Sequence, residues 1–138
     1  MSGHHIYRQR RASGWARIDM LLAIYDATLA KLREGLRIAR AQGDVPPAMR
    51  LESHKLLLTL LEGVNVESGD AARNIERLLT WCLSLVATSD AAAWQAAHDV
   101  VETLHAAFVE IEDEARQLER LGVIPPLDWQ TTAGEARV

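Results

Sequence analysis

The chain has 138 residues, of which 49% are hydrophobic and 25% charged, with a formal net charge of −4. That is long enough for one domain with its own core and too apolar for a disordered segment. The densest apolar run, Leu56 to Leu61, is far short of the ~20 residues of a membrane span, and no basic segment leads into an apolar one at the start; a soluble cytoplasmic protein without membrane insertion is expected.

Residues 1–16 read as an N-terminal arm. Arg8, Arg10, Arg11 and the adjacent Arg17 come with no acidic residue before position 19, whereas residues 98–121 hold seven acidic groups against Arg116 and Arg120. With little aromatic interleaving on an acidic protein, the arm is expected to be solvated or to dock on the acidic C-terminal helix, with no nucleic-acid partner.

Ile18, Leu22, Tyr25, Leu29, Leu32, Leu36 and Ala39 recur at alternating steps of four and three, one stripe of a long first helix, and Gly43 is placed to end it with a left-handed C-cap. Pro46-Pro47 suits the first turn of a second helix running to about Glu62. Asn65 to Gly69 has turn chemistry, with Ser68 or Asp70 available to cap a third helix whose core line reads Ala71, Ile75, Leu78, Cys82 and Leu85. Ser89-Asp90 caps a fourth, carrying Trp94, Ala97, Val101, Leu104, Phe108, Ile111, Ala115 and Leu118 in one unbroken heptad pattern until Gly122 and Pro125-Pro126. No segment alternates with period two. The expected fold is all-α: an antiparallel four-helix bundle over 17–121, with the arm folding back on one end and a C-terminal tail over 122–138.

Three helices carry more apolar surface than a bundle needs. At 100° per residue, Met20, Ile24, Ala27 and Ile38 project away from the first helix's core stripe. Leu56 and Leu60 lie opposite Leu51 and Leu58, and Asn74, Leu78, Trp81 and Leu85 form a stripe flanking the third helix's core line. Contiguous apolar surface of this kind marks a partner site, and an amphipathic segment laid into a groove is its usual occupant.

Catalytic chemistry finds little support. Glu102-Thr103-Leu104-His105 has the Glu-x-x-His form of di-iron bundles, but such a centre needs two of these motifs and two further glutamates facing inward; one motif is present, and Glu102 points away from the Leu104–Phe108 stripe. His98 and Glu102 read as a surface i,i+4 pair. Cys82, the single cysteine, excludes an internal disulfide and sits on an apolar stripe without an adjacent base, as an inert buried thiol does. No phosphate loop or nucleophile elbow occurs. Neither an enzyme nor a metal or other cofactor is expected.

Two signatures then stand out. Ile6-Tyr7 precedes Ile24-Tyr25-Asp26, the two tyrosines standing eighteen positions apart, and Val64-Asn65-Val66-Glu67-Ser68-Gly69-Asp70-Ala71-Ala72-Arg73-Asn74-Ile75 follows in mid-chain; Leu104-His105-Ala106-Ala107-Phe108-Val109-Glu110 is a weaker third. Together, from Ile6 to about Glu110, they resemble the flagellin export chaperones, the FliS family. The chain departs from that family's pattern at Gly14-Trp15-Ala16-Arg17 and at Leu78-Leu79-Thr80-Trp81-Cys82. The resemblance implies a four-helix bundle whose partners are the C-terminal segment of flagellin and the flagellar export machinery. Ile6 and Tyr7 would match the end-capping dipeptide, Tyr25 and Asp26 the first-helix signature, and Asn74, Ile75 and Leu78 the third-helix pattern. With the surplus-surface stripe, the expected partner-binding set is Ile6, Tyr7, Ile24, Tyr25, Asn74, Leu78, Trp81 and Leu85, on a monomer or weak dimer. A binding module with another helical client, and a bundle that pairs with itself, stay open.

Overall fold

A computed structural model describes residues 17–122. Those residues are all-helical: α1 (Arg17–Gln42), α2 (Pro47–Glu62), a 3-10 turn (Val66–Ser68), α3 (Asp70–Val86), α4 (Ala91–Glu110) and α5 (Glu112–Arg120). None of the described helices is long and apolar enough to cross a membrane.

The helix ends follow local chemistry. Gly43 sits at φ +80° and donates its N–H to the carbonyl of Ala39 at 2.7 Å, closing α1 in the left-handed conformation that glycine adopts without strain. Pro47 opens α2, where a missing N–H costs nothing. Asp90 accepts the N–H of Ala93 at 3.1 Å and caps α4. The start of α3 differs from expectation: Gly69, at φ +131°, stands at the N-cap without a side-chain cap. Asn65 caps the preceding 3-10 turn through Glu67 N–H at 3.1 Å, and the Asp70 carboxylate is taken by Arg73 at 2.8 Å.

All seven residues of the expected α1 stripe are buried. Five of them, Tyr25, Leu29, Leu32, Leu36 and Ala39, form one core cluster with Leu57 and Leu60 of α2, Leu79, Cys82 and Val86 of α3, and Trp94, Ala97, Val101 and Leu104 of α4. Val45, in the α1–α2 link, is also fully buried in that cluster. Each long helix packs on two others: α1 on α2 and α4, and α3 on α2 and α4. Trp94 is completed as a core residue by its indole N–H, which donates to the carbonyl of Thr88 at 2.8 Å.

A polar ladder runs along one seam. Asp19 pairs with Arg116, Asp26 with His105 at 3.0 Å, Arg33 with Glu102 at 4.0 Å, and Arg40 donates to Gln95 at 2.5 Å. Residue numbers rise on α1 as they fall on α4 and α5. The backbone N–H of Arg17 extends the series to Glu119 at 2.6 Å.

Three expectations need correction. The fourth helical segment is not continuous: Ile111, at φ −101° and ψ 6°, separates α4 from α5. The break places Glu112, Asp113 and Glu114 in a helical first turn, where acidic groups face unpaired N–H donors instead of crowding a helix interior. Met20 and Ile24 do not face solvent. Met20 is 1% exposed, and Ile24 is partly buried against the core; Lys31, seven residues beyond Ile24 and so on the same flank, reaches Glu52 of α2 at 3.4 Å, so this flank is turned toward a neighbouring helix. Finally, the buried line of α3 is Leu79, Cys82 and Val86, rotated about 50° from the expected Ala71–Leu85 line at 100° per residue.

Candidate functional site

The rotation of α3 decides which of its side chains remain free. Leu78 is 38% and Trp81 49% exposed, while Leu85 is partly buried against the core. With Asn74 they form one stripe, since steps of four, three and four keep residues on one side of a helix. The Cys82 thiol lies 3.8 Å from the carbonyl of Ala97 on α4. Leu78, Trp81 and Leu85 are on the same side of the α3 core line as Cys82, and therefore border α4; Leu79 and Leu83 lie on the other side, toward α2.

The matching face of α4 follows by the same geometry. Glu102 and His105 are turned to α1 by their contacts with Arg33 and Asp26, and Ala97 is turned to α3. Ala93, Ala96, Val100, Thr103 and Ala107 repeat at steps of three and four on the α3 side, each partly or fully exposed. The outer α3/α4 seam is thus a shallow groove with an apolar wall carrying one large aromatic, Trp81, and an opposite wall of small side chains. The α4 wall was not anticipated from the sequence; its signal is a charge-free heptad stripe of small residues beside the core stripe.

The other expected partner-binding residues are placed differently. Ile6 and Tyr7 lie outside the described residues. Ile24 packs on the core and is absent from the groove. Tyr25 is 1% exposed, its ring centroid 5.5 Å from that of Phe108 and 6.1 Å from that of His105. Burial, helped by the nearby Cys82 sulfur, pushes the Tyr25 hydroxyl well above its ordinary value of 10.0, so it stays a neutral packed phenol. Asn74 is exposed and accepts a hydrogen bond from Arg77. The structure brings together Asn74, Leu78, Trp81 and Leu85, and separates Ile24 and Tyr25 from them. Elsewhere Leu51 (53% exposed) and Leu58 share an outer stripe of α2, away from this groove.

Reactive chemistry is sparse among the described residues. Burial raises the Cys82 thiol to about 12, which leaves almost no thiolate at neutral pH. Among the described residues, His98, Asp99 and Glu102 bring one potential ligand atom each within 4.8 Å of one another. Asp99 is engaged by His98 at 3.2 Å and Gln95 at 2.8 Å, which lowers its carboxyl below the ordinary range, and Glu102 is shared with Arg33. His105 of the Glu-x-x-His motif belongs to the Asp26 pair instead.

No family model, no curated protein and no solved structure matches the chain.

Proposed function

We propose that this protein is a binding module that masks an amphipathic helical segment of a client, acting as a FliS-like export chaperone for the C-terminal segment of flagellin. The observation that carries the reading is the exposure of Leu78 and Trp81 on the outer stripe of α3, opposite the small side chains of α4. Apolar side chains aligned at helical spacing along a groove are what a docking helix requires, and a client segment that is disordered alone folds as it binds. The resemblance in Ile24-Tyr25-Asp26 and in Asn65 to Ile75 supplies the choice of flagellin.

In this reading the packing of α1 on α2 and α4, and of α3 on α2 and α4, together with the α1–α4 ladder, supports an antiparallel four-helix bundle; the arm expected over 1–16 lies outside the described residues. The chaperone works in the cytoplasm as a monomer or weak dimer. It occludes the client's polymerisation surface stoichiometrically, without a cofactor, and hands the client to the flagellar export machinery.

Titration of the full chain with a flagellin C-terminal peptide, followed by calorimetry and circular dichroism, tests this. Saturable binding with a gain of helix beyond the sum of the components is expected. Absence of binding at 100 μM peptide would overturn the flagellin assignment, and concentration-dependent dimerisation that buries Trp81 fluorescence would overturn the client reading in favour of self-pairing.

A further inference from the structure

The two rims of the α3/α4 groove carry different charge. Beyond the apolar stripe of α3, facing solvent, come Asp70 and Arg77, with Arg73 further round the helix; the Asp70 carboxylate is taken by Arg73 at 2.8 Å, which leaves Arg77 as the guanidinium on this rim. From Leu78 to Val86, α3 has no charged residue. On the solvent side of the small-residue stripe of α4 come Asp99 and Glu110, both exposed. α4 contains no lysine or arginine at all, so nothing on its own surface offsets them. Asp99 accepts only neutral or weakly basic partners, Gln95 and His98, and Arg77 is held by the uncharged amide of Asn74. An occupant helix lying along this groove therefore meets the Arg77 guanidinium on one side and the Asp99 and Glu110 carboxylates on the other.

We propose, resting on the helical-client reading above, that the groove selects amphipathic helices of split charge, with acidic residues along one edge of the apolar stripe and basic residues along the other. The acidic edge meets Arg77 and the basic edge meets Asp99 and Glu110. Because turning a helix end for end exchanges its two edges, the same rule fixes the direction in which a given client lies. Each contact is a solvent-exposed ion pair and individually weak; three acting together give a preference of about fivefold. At 0.15 M salt the screening length of about 8 Å confines the effect to groups at the groove edge.

Three designed 18-residue peptides with one shared Leu/Ala stripe form the test: one with glutamates on one edge and lysines on the other, one with lysines on both edges, and one with glutamates on both. Against the full chain at 0.15 M salt, the split peptide should bind about fivefold tighter than either uniform peptide, and the differences should vanish at 1 M salt. The double variant Asp99→Lys/Glu110→Lys should shift the preference to the all-glutamate peptide, with circular dichroism confirming an unchanged fold. Equal binding of all three peptides would overturn the charge rule and leave the helical-client reading standing. Tightest binding by the all-lysine peptide would also overturn it, assigning the effect to the net charge of −4. Binding by none of the three would remove both the rule and the groove.

Discussion

The six-membered ring of Trp94 lies directly on Gly35. A Cβ added at Gly35 would stand 2.2 Å from Cζ3 and 2.6 Å from Cε3 of the indole, well inside van der Waals contact, so α1 and α4 meet there with no space for a methyl group. Trp94 cannot withdraw freely, because its N–H is fixed on the Thr88 carbonyl.

Gly35→Ala is accordingly expected to destabilise the fold. Alanine in a helix interior gains about 1 kcal/mol over glycine, but forcing a methyl into a filled core costs about 1–3 kcal/mol and more where the neighbour is pinned. A net loss of about 1–2 kcal/mol in urea unfolding is the expected result. An unchanged or raised midpoint would mean that the indole moves aside at no cost.

Trp81→Asp and Leu78→Asp should leave the fold nearly as stable as the parent while lowering peptide affinity by at least about tenfold, or 1.4 kcal/mol. Leu104→Ala, in the core, should instead cost about 2–5 kcal/mol. Ile24→Asp belongs with Leu104, since its side chain packs against the core and a carboxylate there loses hydration. Denaturant melts and peptide titrations on the same four variants separate the two classes.

Stability should decline in alkali. Tyr25 and Cys82 both hold their protons more tightly folded than unfolded, because burial disfavours the charged form. Their contribution is complete below the ordinary thiol value of 9.0 and is lost as the pH rises from there toward the folded thiol value of about 12. Urea midpoints should therefore fall progressively between about pH 9 and pH 11, and Cys82→Ala should flatten part of the slope. In the native parent at pH 8 the thiol should react with a disulfide reagent only on the timescale of unfolding. Immediate labelling would show an accessible thiolate.

Arg116 joins α5 to α1 through Asp19 while also engaging Glu112, and α5 has no buried residue of its own. Arg116→Ala should raise amide exchange across residues 112–120 and change global stability by no more than about 1 kcal/mol, the scale of exposed ion pairs. Protection equal to the parent would show that Ala115 and Leu118 suffice to hold the helix.

The parts of this architecture that were legible in the sequence are those fixed by one helix at a time. The α1 stripe has a single apolar phase, so all seven positions could be read, as could the Gly43 and Asp90 caps. In α3, consecutive Leu78-Leu79 and the run Leu83-Ser84-Leu85-Val86 fit two phases about equally well, and only packing against α2 and α4 chooses Leu79, Cys82 and Val86. The same choice exposes Leu78 and Trp81, the half of the candidate groove that is legible in the sequence. Its α4 wall is not, because alanines are compatible with either a core or a surface. Met20 and Ile24 fall outside the single stripe that periodicity picks out on α1, because a helix with two neighbours buries a wider arc.

The α1–α4 ladder and the charge-free second half of α3 divide the labour between the two flanks of α4. Pairs of opposite charge at successive positions oppose a slip of α1 against α4, so alignment is favoured where the surface is polar and ordinary. The outer stripe of α3 takes no part in that alignment. Its residues can be exchanged without disturbing how the helices line up, which makes that stripe the place where one scaffold can be refitted for a different client.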